Sequence, residues 1–319
     1  MDVIHQRCAG LDVHKDEVVA CARVVSGRKV MRTSARFPTT TRGLLALADW
    51  LSTHQCEMIA LEATGVYWKP VWHVLEAQFS LVLANPGHVR AIPGRKSDMN
   101  DAAWLADLVA HGLIRGSFVP PAPIQELRDV TRTRKQLGRQ IAQHTLRLQK
   151  TLDDANLKIA SFVSDLLGIS GRAILRGLIE GETSPDRLLA RTTGLLRARP
   201  EQLRAALEGQ VREHHRFLLR LHLTQIEAIE AGLRDVDGRL EILLRPFRAV
   251  VERLSTVPGV STLVAQTLIA EIGADVHRFP TPGHLRSWVG LCPRLDESAG
   301  KRRSTRLRHG APWLKTVLI

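Results

Sequence analysis

Short apolar runs open the chain, the first two rich in small and branched residues and the third loosely alternating with polar ones. Cys8–Val13, Val18–Val25 and Lys29–Phe37 read as three strands, with the turn signal Ser26-Gly27 ahead of the third. Pairing in chain order makes them an antiparallel meander. The period then lengthens. Leu44, Leu45, Leu47, Ala48 and Leu51 line one side of a helix capped within Thr39–Thr41. Met58–Leu61 reads as a buried strand running into Glu62, and a helix follows from about Tyr67 to Gln78. Leu81–Ala84 is a further strand, closed by Asn85-Pro86-Gly87. Ala102, Leu105, Leu108 and Val109 then mark a helix whose first turn carries Asp98 and Asp101. The order is βββαβαβα.

The pattern changes after Phe118. Val119-Pro120-Pro121-Ala122-Pro123 is a stiff linker. Residues 124 to about 160 hold Gly138 as the lone glycine and no proline. Leu127, Val130, Leu137, Ile141, Leu148 and Leu152 recur as on one long, paired helix. Short helices with turns at Gly168, Gly171, Gly181 and Gly194 are expected over 160–200, and one or two helices over 200–255. The apolar seam of the latter reads Leu218, Leu221, Ile226, Ile229, Leu233, Val236, Leu240 and Leu243. The two long stretches suit a coiled coil, within one chain or between chains. From 254 onward, Val257-Pro258-Gly259-Val260-Ser261 leads into a helix over Thr262–Ile272, resembling one hairpin of the helix-hairpin-helix type. A helix through Leu285 and Trp288, a basic loop after Glu297 and a last helix over Pro312–Ile319 complete the chain. The domains expected are therefore 1–118, 119–253 and 254–319.

Charge sharpens this outline. The 319 residues carry a formal net charge of +13, which points to a polyanionic partner. The charge is clustered. Arg128, Arg132, Arg134, Lys135, Arg139 and Arg147 lie on the polar face of a stretch, ending at Lys150, that holds one acid, Asp129, and few intrahelical pairs are open to them. Lys301, Arg302, Arg303, Arg306 and Arg308 share one with none. Both stretches are candidate phosphate contacts, as is the backbone at Gly259. The scattered cysteines Cys8, Cys21, Cys56 and Cys292 form no C-x-x-C pair, which argues against structural zinc or a disulfide framework and suits a reducing, cytoplasmic setting. No apolar run reaches the ~18 residues of a membrane helix.

The chemistry gathers where strands end. Asp12 closes the first strand, Glu62 the fourth, and Asp98 and Asp101 open a helix. Alone, each reads as a turn acid or a helix-dipole partner. Together they resemble the acid set of the ribonuclease H-like fold in its RuvC-type form, with four acids converging on one sheet edge. Such a set suits two Mg²⁺ ions ~3.5–4 Å apart on a phosphodiester. His14, next to Asp12, reads as a surface or supporting residue.

With both ends taken together, the chain resembles the IS110 family of transposases. The N-terminal motifs are Gly10-Leu11-Asp12-Val13-His14-Lys15, Leu61-Glu62-Ala63-Thr64-Gly65 and Lys96-Ser97-Asp98-Met99-Asn100-Asp101-Ala102. The C-terminal ones are Val257-Pro258-Gly259-Val260, Ala270-Glu271-Ile272-Gly273, Phe279-Pro280, Gly290-Leu291-Cys292-Pro293 and Ser298-Ala299-Gly300-Lys301-Arg302-Arg303. The resemblance implies that Asp12, Glu62, Asp98 and Asp101 bind Mg²⁺ and that Ser298 is the nucleophile, forming a phosphoserine–DNA intermediate. It implies a dimer or tetramer, a composite site with acids and serine from different subunits, and a guide or bridge RNA pairing with DNA. Ala299 stands where the family often has glycine, and the chain stops at Ile319, short of the family's usual end, so a truncated C-terminus is expected. Three other readings compete. A RuvC-like nuclease would hydrolyse DNA without Ser298. A non-catalytic nucleic-acid binder would carry the acids as relics. An actin-like ATPase or sugar kinase would need glycine-rich phosphate loops, and none of the Walker or kinase type is present.

Overall fold

The computed structural model describes all residues except 1, 28, 64, 93–100, 164, 193–199, 294–295, 299–300, 305 and 308–309. Side chains are also left undescribed at 90–91, 200, 296–298 and 302–303. The chain forms two compact units, Met1–Val119 and Pro120–Ile319.

The first unit is built on a five-stranded sheet. Strands β1 (Arg7–Val13), β2 (Glu17–Ser26) and β3 (Lys29–Pro38) form the antiparallel meander, and helix α1 (Thr41–Thr53) follows. The Thr40 hydroxyl accepts from the Gly43 N–H and starts that helix. Then come β4 (Met58–Glu62), α2 (Trp68–Leu75), β5 (Ser80–Ala84), α3 (Pro86–Ala91) and α4 (Asp101–Ala110). Asn85-Pro86-Gly87, read as the close of a strand, opens α3, with the Asn85 side chain accepting from the Gly87 N–H. The sheet order is β3-β2-β1-β4-β5, with β4 parallel to both β1 and β5. This order and these directions are those of the ribonuclease H-like fold.

The two faces of β1 do different things. Ala9, Leu11 and Val13 join Leu44, Leu47 and Leu51 of α1 and Val71 and Leu75 of α2 in the main core. Cys8, on the other face, packs with Leu105, Leu108 and Val109 of α4. Alternation along one strand thus separates the core from the face that α4 covers.

The second unit is helical. Helix α5 (Ala122–Asp154) is followed by α6 (Ile169–Glu180), α7 (Pro185–Ala190), α8 (Pro200–Leu207) and α9 (Glu213–Leu244). Helices α10 (Arg248–Ser255), α11 (Thr262–Ile272) and α12 (Pro282–Val289), the hairpin β6 (Asp296–Ser298) and β7 (Lys301–Ser304), and α13 (Pro312–Leu318) complete it. The long helices α5 and α9 pack antiparallel within the chain. His144 meets His222, and nearer the far end Asp154 meets His215.

Four expectations change here. The 200–255 stretch holds three helices, broken around Gly209 and at Pro246. Gly171 lies inside α6 rather than at a turn, because a Cβ there would stand 2.2 Å from the Leu166 carbonyl oxygen. The seam of α9 near its start runs through Leu219, Leu223 and Ile226, while Leu221 is exposed. The basic loop after Glu297 is a two-stranded hairpin. Gly194 lies outside the described residues.

Candidate active site

Asp12 sits on the α4 face of β1, two residues beyond Gly10. A Cβ at Gly10 would lie 2.1 Å from the Ala102 carbonyl oxygen and 2.5 Å from the Ala106 nitrogen. Only glycine lets the helix backbone rest on the strand at this depth. The Cys8 thiol donates to the Ala106 carbonyl at 3.4 Å. From Cys8 to Gly10, then, the strand advances while α4 is met progressively nearer its start. One step further along the same face comes Asp12, and one turn back along the helix comes Asp101, its first residue. The close approach at Gly10 therefore brings the two acids towards the same end of the sheet.

Glu62 arrives by strand pairing. Leu11 pairs with Leu61 in the parallel β1–β4 ladder, and Asp12 and Glu62 follow immediately on those two residues. Ala60, two before Glu62, is buried on the α4 side, so Glu62 faces that side too. Neighbouring strands lie about 4.8 Å apart, a spacing at which two carboxylates can share a cation. Crevices beyond the carboxyl ends of parallel strands are where ligands settle in open sheets of this kind. Glu62 is half-buried, Asp101 is exposed, and the Asp12 side chain retains 19% of its exposure. His14 Nε2 lies 3.1 Å from Asp12 Oδ2, beside the acid as its sequence position suggested. Asp98 lies outside the described residues. The oxygens of Asp12, Glu62 and Asp101 are not drawn together within 4.8 Å of one another. Carboxylates on separate strands and a helix end are a hard, all-oxygen donor set, the kind that fits Mg²⁺ or Mn²⁺ rather than a thiophilic ion.

The nearby thiols do not compete. Burial pushes Cys8 up to about 12 and Cys56 up to about 11, and raises Cys21 as well. At neutral pH all three stay protonated and serve as small apolar residues.

Among the described residues, one group does hold three metal-type ligand atoms within 4.8 Å: Asp154, His214 and His215. Sequence reading missed it, because Asp154 and the histidines are some 60 residues apart. It belongs to the helical unit and suits a different task. His215 Nδ1 accepts from the Arg212 N–H at 3.1 Å, and Nε2 faces Asp154 Oδ2 at 2.9 Å. Both ring nitrogens are therefore engaged, with the proton on Nε2, and the His215 hydrogen bond holds the Asp154 carboxyl below its ordinary value. The arrangement caps α9 and ties its start to the end of α5.

Ser298 ends β6 and pairs with Lys301 of β7. A bridge between Pro293 and Leu307 closes the base of this hairpin. Beside it, Gly310 lies so near the end of α12 that a Cβ would fall 2.1 Å from the Val289 carbonyl oxygen. Lys301 and Arg306 are exposed. Arg302 and Arg303 belong to β7, but their side chains, like that of Ser298, lie outside the described set, and Arg308 is outside it altogether.

The basic face of α5 is less open than its local sequence implies. Arg128 donates to the carbonyl oxygens of Ala270 (3.2 Å) and Glu271 (2.6 Å), answering the C-terminal end of α11. Arg132 makes two 2.8 Å bonds to the carboxylate of Glu271, which is 1% exposed. Arg134 pairs with Asp237 of α9, and Lys135 donates to the Trp313 carbonyl and the Thr316 hydroxyl of α13. Arg139 lies over the Trp313 ring at 5.3 Å. The acids missing from α5 itself come from helices more than 100 residues away. Four of the six basic residues proposed for phosphate thus hold the unit together. Arg147 is exposed, and Gly259, with φ at +85°, shapes the turn into α11 without a crowded neighbour.

Two family models match the chain, one towards each end. Residues 9–157 match the family of IS110 transposase DEDD domains, described as "Transposase". Residues 251–319 match the "Transposase IS116/IS110/IS902 family". The chain belongs to the IS110 family of transposases. No curated protein matches this IS110 transposase. Among solved structures, Thermus thermophilus RuvC is similar over 36% of this chain and 85% of its own, at 14% identity and a TM-score of 0.24. As a transposase of this family the protein is a DNA-cutting enzyme, and the family's DEDD acids imply a divalent cation. Among the described residues, no helix of this transposase is long and apolar enough to cross a membrane.

Proposed function

We propose that this transposase cuts and rejoins DNA at a Mg²⁺ site made by Asp12, Glu62, Asp98 and Asp101, with Ser298 as nucleophile. The observation that carries the reading is the placement of Asp12 and Glu62 at adjacent parallel strand ends, on the face where α4 delivers Asp101. Mg²⁺ bound there would neutralise charge on the scissile phosphate and polarise it for attack. The protein's own groups do the rest. Asp12 and Glu62 orient the cation from a sheet edge that cannot shift without breaking the ladder, and His14 steadies the Asp12 carboxylate. Ser298 Oγ attacks phosphorus, the Oγ–P bond forms, and the P–O bond to the departing deoxyribose oxygen breaks. The hydroxyl proton passes to that oxygen, directly or through water. The phosphoserine keeps the bond energy for rejoining, which suits recombination better than hydrolysis.

The family resemblance supports a composite site with acids from one subunit and serine from another in a dimer or tetramer. It also supports a guide RNA that pairs with target and donor DNA. Lys301, Arg302, Arg303, Arg306 and Arg308 around the serine hairpin, together with Arg139, Arg147 and the turn at Gly259, are the proposed phosphate contacts.

The test is Mg²⁺-dependent cleavage of the element's DNA ends, with the cognate RNA, using wild type, Asp12→Asn and Ser298→Ala. Denaturing gels report the protein–DNA adduct. The expected result is an adduct in wild type and none in either variant. Cleavage that persists in Ser298→Ala without an adduct overturns the serine mechanism in favour of hydrolysis. Cleavage that persists in Asp12→Asn overturns the metal site.

A further inference from the structure

Helix α4 meets the sheet through a smooth surface. Ala102, Ala106 and Ala110 are fully buried, and Leu105, Leu108 and Val109 nearly so. Apolar burial is non-directional. A row of methyl groups over the glycine of β1 sets how close the helix comes. It says little about where along its axis the helix stops. That position matters for Asp101, because slipping by one residue moves the helix about 1.5 Å along its axis, while metal ligands must be placed to within about 0.2 Å.

The Ile4 and His5 N–H groups donate to the Ala110 carbonyl at 2.8 and 3.1 Å and the Cys8 thiol donates to that of Ala106, while the side-chain ion pairs of α4, among the described residues, are concentrated on one residue. Asp107, on α4, accepts from Arg23 Nε of β2 at 2.9 Å, and from Arg32 Nη2 of β3 at 2.8 and 3.0 Å. Two adjacent strands therefore hold a single carboxylate. The Arg23 side chain is 4% exposed, and its Nη1 is buried with no hydrogen-bond partner among the described residues. Burying a guanidinium with one nitrogen unanswered is a poor way to gain stability, since an apolar pair of similar volume does as well or better. What the pair does supply is a fixed position for the helix.

We propose that Arg23 and Asp107 are positioning residues of the metal site, setting the axial register of α4 and hence the placement of Asp101 against Asp12 and Glu62. The inference rests on the reading of those acids as cation ligands. Neither residue is among the proposed cation ligands or phosphate contacts.

Mn²⁺ titrated calorimetrically into the full chain tests this without any DNA. Binding lost in Asp12→Asn defines the site. The double variant Arg23→Met/Asp107→Leu keeps the packing and removes the clamp. It is expected to bind Mn²⁺ about tenfold more weakly, as supporting residues of metal sites do, while its thermal midpoint stays at or above that of wild type. A purely structural role would give the reverse, a lowered midpoint with unchanged affinity, and would overturn the inference. Should the double variant not fold, Asp107→Glu keeps the charge but lengthens the arm. Weaker Mn²⁺ binding at an unchanged midpoint supports the inference, and wild-type affinity overturns it. Wild-type binding that is insensitive to Asp12→Asn instead overturns the metal reading itself, and the clamp's role with it.

Discussion

The two units use charge in opposite ways. In the sheet unit the packing is mainly apolar. The described carboxylates of the site stand at the edge of a core made of aliphatic side chains, and one buried ion pair, Arg23–Asp107, fixes a helix. In the helical unit, charged side chains join helices alongside the apolar clusters. Arg128 and Arg132 bind Glu271, Arg134 binds Asp237, and Arg172 binds Glu230, each pair linking helices far apart in the chain. A sheet aligns its residues by backbone pairing and leaves the strand ends free for chemistry. Long helices have no such ladder between them, so side-chain pairs help to set their alignment, and at Glu271 the carboxylate is withdrawn from the surface altogether.

The sharpest way to break this contrast is at Glu271. Glu271→Ala leaves Arg132 without its carboxylate and removes a buried opposite charge beside Arg128. It should destabilise the protein by about 3–5 kcal/mol in urea denaturation, the cost of breaking a buried pair. A loss near that of an exposed pair would mean that α11 is held by apolar contacts after all. Gly10→Ala probes the sheet unit, where no charge is at stake. The added methyl meets backbone atoms of Ala102 and Ala106 that cannot rotate away. We expect about 1–3 kcal/mol of destabilisation from overpacking, together with loss of Asp12-dependent Mn²⁺ binding as α4 lifts. The smallest effect lies where α5 meets α9. Burial, followed by the charges of His144 and Arg147, lowers His222 from its ordinary value of 6.5. The folded state then favours neutral His222, so its contribution is complete above that value and falls as the pH drops below it. The urea midpoint of wild type should decline between pH 7.5 and 5.5 more than that of His222→Gln. Equal declines would remove the helix pair from the acid response.

Much of the sheet unit was legible from the chain alone. Short apolar runs bounded by turn signals marked the strands to within one or two residues, and Asp12 and Glu62 were conspicuous as acids at strand ends. The helical unit was harder. Leu219 and Leu223 are buried and Leu221 is exposed, because this part of α9 packs against α6 as well as α5 and the buried stripe is set by both neighbours. The β6–β7 hairpin was hidden by its charges, since Lys301-Arg302-Arg303 has no alternation to announce a strand.

Local pattern thus accounts for element type and order and for the acids at the strand ends, since backbone periodicity and turn chemistry act over a few residues. Which basic side chains of α5 remain for phosphate followed from folding, because Glu271 and Asp237 reach Arg132 and Arg134 across more than 100 residues of chain. The same holds for the close seat of α4 on Gly10. A glycine in a strand is ambiguous on its own, and its meaning appears once a helix backbone lies against it.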